Sequence, residues 1–114
     1  MRGDERMEGL DFGEILEMQR ALQDRYKDRW EPVNPETGKN KLLWMVGEIG
    51  EVADVIKKRG HEAVMEDEAI RAHFVEEMTD VLMYYGDVML CFGIGPEELK
   101  SAYVAKFHRN MERW

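Results

Sequence analysis

Apolar residues recur at three- and four-residue intervals through most of this chain, and no stretch alternates apolar and polar positions with the period of two that marks a strand. The pattern predicts four helices in one all-α bundle. The first, from about Phe12 to Trp30, carries Ile15, Leu16, Met18 and Leu22, and a segment holding Pro32, Pro35 and Gly38 breaks it. The second runs from about Asn40 to Arg59 and stops at Gly60, with Lys57, Lys58 and Arg59 in the last turn, where cations complement the helix dipole. The third begins near Glu66 to Glu68 and continues to Phe92. Gly93, Gly95 and Pro96 then stop and restart the chain, with Pro96 suited to the first turn of a last helix ending near Trp114. Met1 to about residue 10 is charged and reads as a frayed leader.

At about 100° per residue, Leu42, Val46, Ile49, Val52, Ala53 and Ile56 form the expected core stripe of the second helix. On the third helix the stripe is Phe74, Met78, Val81, Leu82, Tyr85, Val88, Met89 and Phe92. Acids border both. Glu48 and Glu51 lie three residues apart beside the first stripe, and Glu77 and Asp80 three apart beside the second, with Tyr84 and Asp87 continuing that border. Residues three apart on a helix share a face, so each pair points its oxygens one way, and two such helices packed antiparallel would converge all four. Like charges gathered beside a core cost free energy unless a cation neutralises them. An all-carboxylate set suits a hard divalent ion such as Mg²⁺, which keeps waters and shares its shell with substrate phosphates.

The 114 residues fit one domain, small enough that partner chains are expected to complete its core. A net charge of −8 argues against a nucleic-acid surface, and it requires bound metal and local basic residues to receive an anionic substrate. No run of eighteen apolar residues and no signal-peptide pattern occurs, so a cytoplasmic protein without membrane spans is expected. Cys91 is the single cysteine, which leaves no internal disulfide and no thiolate zinc cluster; it reads as a small buried hydrophobe. None of the three histidines completes the Glu-x-x-His spacing of di-iron bundles, which favours an all-oxygen site over a redox metal.

The words Gly47-Glu48-Ile49-Gly50-Glu51 and Glu77-Met78-Thr79-Asp80 resemble the ExxE…ExxD signature of the all-α nucleoside triphosphate pyrophosphohydrolases, the MazG-like superfamily. Leu43 to Glu51 and Asp80 to Tyr84 are similar to the branch containing dCTP pyrophosphatase, as is the closing segment Lys106 to Trp114, with Lys-x-x-x-Asn-x-x-Arg followed by an aromatic. The likeness covers roughly residues 30 to 114. It implies a four-helix, homodimeric or homotetrameric enzyme that splits a nucleoside triphosphate between its α and β phosphates. Glu48, Glu51, Glu77 and Asp80 would hold Mg²⁺, or Mn²⁺ in its place, with Glu48 or another of these carboxylates as general base. Lys106, Asn110 and Arg113 would contact the triphosphate, from a neighbouring subunit in one arrangement; they also share one helical face and offer a point charge, an amide and a planar fork. Tyr84 would donate its hydroxyl to a phosphate, and Trp30 would stack on the base. Lys58 stands where dCTP-specific members carry a second stacking tryptophan, so cytosine preference does not transfer. Tyr84 stands where the phosphoribosyl-ATP enzymes carry histidine, which counts against that branch.

Two other functions fit the same residues. In one, the acids are a solvated rim and the methionines an interface of a non-catalytic helical assembly module. In the other, the metal site serves a different phosphorylated metabolite.

Overall fold

The computed structural model describes residues 9–114, so the expected leader lies largely outside the described residues. Five helices follow in order: α1 (Phe12–Arg25), α2 (Pro35–Arg59), α3 (His61–Glu66), α4 (Glu68–Cys91) and α5 (Pro96–Arg113). No strand occurs among the described residues. Four of the five are the expected helices; α3 is a short extra turn within the segment left as a connection.

Local chemistry sets the ends. Asp11 and Glu14 form a reciprocal capping box at α1, with Glu14 N–H donating to Asp11 Oδ1 at 2.8 Å. The helix ends at Arg25, earlier than expected, because the chain turns through Tyr26 to Trp30; Trp30 N–H donates to the Tyr26 carbonyl, and the two rings stack at 4.8 Å. α2 begins five residues earlier than expected. Asn34 accepts from Thr37 N–H at 3.0 Å and Pro35 occupies the first turn, where its missing N–H costs nothing. Gly60, at φ 86°, turns the chain out of α2 in a conformation that a side chain would disfavour. Asp67 then caps α4 by accepting from the N–H groups of Ala69 and Ile70.

The α2 and α4 helices pack antiparallel. Thr37 Oγ1 lies 3.7 Å from Cys91 Sγ, the rings of Trp44 and Tyr84 meet edge to face at 6.2 Å, and Glu48 meets Asp80. Steps of seven and four residues along α2, from Thr37 to Trp44 to Glu48, are matched by equal steps back along α4, from Cys91 to Tyr84 to Asp80. α1 crosses α4, while α5 approaches α1 alone among the helices.

The core departs from the expected stripes. Lys41, Val55 and Gly38 are the buried residues of α2, whereas Leu42, Val46, Ile49 and Ile56 are 43–59 % exposed. On α4, Met89 is buried as expected, with Gly86, Asp87 and Cys91, but Met78, Leu82, Tyr85 and Phe92 are exposed. The physical reason lies in packing geometry. The Phe92 ring, just past the end of α4, occupies the space that a side chain at Gly38 would take, and the two helices meet along the faces holding Thr37, Trp44 and Glu48 on one and Cys91, Tyr84 and Asp80 on the other. The more apolar stripe of α2 is thereby turned outward. α5 buries no residue, and Tyr103, Val104, Phe107 and Met111 are 43–73 % exposed. Among the described residues no helix is long and apolar enough to cross a membrane.

Candidate metal centre and adjoining cleft

Antiparallel packing brings one acid of the first pair and both of the second together. Ligand oxygens of Glu48, Glu77 and Asp80, all half-buried, lie within 4.8 Å of one another. Glu51 stands outside this trio. It is exposed, beside Gly47 and Trp44 in a shallow hollow, although its charge still acts on Glu48. His73 Nε2 lies 3.8 Å from Glu77 Oε1, an attraction only when the ring is protonated.

Electrostatics mark Glu48 within the cluster. Partial burial, followed by the charges of Asp80, Glu77 and Glu51, holds its carboxyl above the usual glutamate range. Tyr84 is pushed the same way, first by burial and then by Glu48, Asp87 and Asp80, so its phenol keeps its proton and stays a donor. The donor set is three hard carboxylates with no nitrogen or sulfur, which suits a hard divalent cation and not a thiophilic ion.

Beside the acids opens a cleft of about 440 Å³ lined by Asp80 and Tyr84 together with Trp30, Trp44, Arg29 and Lys41. Trp30, the residue the resemblance assigns to base stacking, is one of the residues lining this cleft. Lys41 is 3 % exposed and carries its ammonium over the Trp44 ring, 5.2 Å from the centroid. Asp87, 4 % exposed, also lines the cleft, and Gln19 and Gln23 both donate to its Oδ1, at 2.8 and 2.9 Å.

Lys41, Arg29 and the Gln19–Gln23–Asp87 network went unnoticed in the sequence as site residues. The one available signal was Asp87 on the acid border of its helix.

Lys106, Asn110 and Arg113 do not join this site within one chain. They lie on α5, which approaches only α1; Lys106 and Arg113 are exposed, and the Arg113 guanidinium rests over Trp114. Asn110 Oδ1 is shut off from solvent without a hydrogen-bond partner.

Set against family models, curated proteins and solved structures, the chain matches none of them.

Proposed function

We propose that this protein is a Mg²⁺-dependent nucleoside triphosphate pyrophosphohydrolase, yielding a nucleoside monophosphate and pyrophosphate. The observation that carries the reading is the convergence of Glu48, Glu77 and Asp80, of which Asp80 also lines a cleft shared with two tryptophans and two cations. Bare carboxylates alone would repel a triphosphate. A divalent cation among them supplies neutralisation of the phosphate oxygens and of the leaving pyrophosphate. Arg29 adds local positive charge at the cleft in a chain of net charge −8.

The chain's own groups then divide the work. Glu48 accepts the proton of the attacking water on a carboxylate oxygen, and the burial and neighbouring acids that raise its pKa make it more basic than an ordinary glutamate. As the water oxygen bonds to phosphorus, the α–β anhydride P–O bond breaks and pyrophosphate departs with the electron pair. Tyr84 donates its hydroxyl to a phosphate oxygen at the junction of cleft and acids, and the aromatic faces of Trp30 and Trp44 take the base.

Assembly belongs to the same proposal. The exposed stripe of Leu42, Val46, Ile49 and Ile56 is flanked by Gly47 and Gly50, where an added side chain would meet nothing in this chain. Each helical glycine costs about 1 kcal/mol against alanine. A second copy packed closely on this face, as a homodimer or within a homotetramer, would use both the glycines and the stripe. It would also allow α5 of one subunit to bring Lys106, Asn110 and Arg113 to the acids of another.

The direct test is pyrophosphate release from a panel of ribo- and deoxynucleoside triphosphates with Mg²⁺. Equimolar monophosphate and pyrophosphate, lost in Asp80→Asn, is the expected result. No release from any nucleotide overturns the assignment, and release from another phosphorylated metabolite alone would move the substrate class. Folded oligomers with no Mg²⁺ binding would favour the assembly module.

A further inference from the structure

We infer that Lys41 and Asp87 form a base-reading pair, in which the Lys41 ammonium donates to an acceptor on a flat heterocycle and the free oxygen of Asp87 accepts from a neighbouring N–H. This deepens the nucleotide reading above and rests on it.

The first observation is an ammonium without a polar partner. Lys41 as a residue is 3 % exposed, and among the described residues no hydrogen bond or ion pair reaches its Nζ, which lies over the face of Trp44 and keeps access to the solvent of the cleft. A buried lysine ordinarily slides its charge to water or pairs it. Here three donors are left for whatever enters the cleft.

The second observation is a carboxylate held in place. Gln19 and Gln23, both buried, spend their amides on one oxygen of Asp87, and no described hydrogen bond uses the other. Two amides on Oδ1 restrict rotation of the group, as expected of a recognition element that must keep its direction.

The third is a ruler. Lys41 lies seven residues before Glu48 on α2, and Asp87 seven after Asp80 on α4, so both stand two turns from the carboxylate layer. At the helical rise that is about 10 Å. The antiparallel register sets Lys41 and Asp87 at the same level, and both line the cleft that contains Trp30 and Trp44. The ribose of a nucleotide spans a comparable distance between the α-phosphate and the base edge. With the phosphates at the acids, the base is thus carried to Lys41 and Asp87, between aromatic faces that favour a planar ring over a sugar.

The experiment measures calorimetric binding of four α,β-methylene nucleoside triphosphates, differing only in base, and of inorganic triphosphate, all with Mg²⁺. Wild-type protein should prefer some bases over others. Lys41→Met, of similar length without donors, should lose about 10- to 100-fold in affinity for the preferred base and flatten the preference. It should bind inorganic triphosphate as wild type does, which also reports that it folds. Asp87→Asn should change the order of preference, because an amide offers both donor and acceptor. Equal affinity of wild type and Lys41→Met for every analogue overturns the inference, as does an equal loss for inorganic triphosphate, which would make Lys41 a phosphate contact. A wild-type protein that binds no triphosphate at all overturns the hydrolase reading, and this one with it.

Discussion

Gln19 donates its side-chain amide to Asp87 Oδ1 at 2.8 Å, joining α1 to the C-terminal part of α4 inside the protein. Both groups are nearly inaccessible to water, so neither can exchange this bond for a solvent one. Gln19→Met should therefore destabilise the fold by about 1.5–3 kcal/mol, the range for a buried hydrogen bond to a charged group. Exposed Arg20, the next residue on the same helix, provides the control: Arg20→Ala should stay within about 0.5 kcal/mol. Urea denaturation of the two variants decides between them, and equal midpoints would remove the network from the stability of the fold.

The carboxylates should rank unequally in metal binding. Asp80→Asn or Glu77→Gln should abolish the rise in melting temperature that Mg²⁺ brings, because a ligand bound only by the folded state stabilises it by mass action. Glu51→Gln should lower Mg²⁺ affinity by less than tenfold, since Glu51 stands outside the close trio. Mg²⁺ titration followed by thermal melting measures the order, and an Asp80→Asn protein that still responds to Mg²⁺ would contradict it.

The raised pKa of Glu48 carries a sign for stability. A carboxyl whose pKa is higher in the folded than in the unfolded state favours folding when protonated, and that contribution is lost as pH rises through the folded value. Metal-free wild type should thus gain stability, relative to Glu48→Gln, as pH falls from neutrality toward the ordinary glutamate range. Mg²⁺ should reverse the trend, because it binds the ionised form. Melting curves of both proteins, with and without Mg²⁺, between pH 4.5 and 7.5 on the order of ordinary carboxylate titration, give the comparison; parallel curves would deny Glu48 its shifted carboxyl.

The terminal helix should act across subunits. Arg113→Ala should cost about 10- to 100-fold in kcat/KM, as expected for one charge-assisted hydrogen bond, and Arg109→Ala, off that face, much less. α5 does not approach the acids of its own chain, so mixing Arg113→Ala with Asp80→Asn subunits should restore activity that neither has alone. A mixture no more active than its components, or a light-scattering mass of a single chain, would place the triphosphate contacts elsewhere.

Much of this arrangement was legible along the chain. The four long helices, the stop at Gly60, the restart at Pro96 and the grouping of Glu48, Glu77 and Asp80 follow from spacing and from punctuating residues, which act locally. The start of α2 was missed because Pro35 and Gly38 read as breakers, whereas Asn34 and Thr37 cap the helix and Gly38 sits inside it against Phe92. Periodicity found the stripe of Val46 and Ile49 but carried no information on what covers it. Lys41 illustrates the harder limit. Its sequence context is that of an ordinary solvated lysine, and only the register of α2 against α4 buries it.

That register also ties the length of each helix to the chemistry. A residue inserted between Lys41 and Glu48, or between Asp80 and Asp87, would turn everything beyond it by about 100° and carry one half of the site off the shared face. In the nucleotide site proposed above, such a change could not adjust the distance from cation to base by small increments. The permitted unit is the pair of turns, seven residues on both helices together, which leaves side-chain exchange as the route to new specificity. The corner from Gly60 to Asp67 bears no such constraint. Length variation tolerated there and forbidden between the two layers is the behaviour expected of a fold that measures its ligand in helical turns.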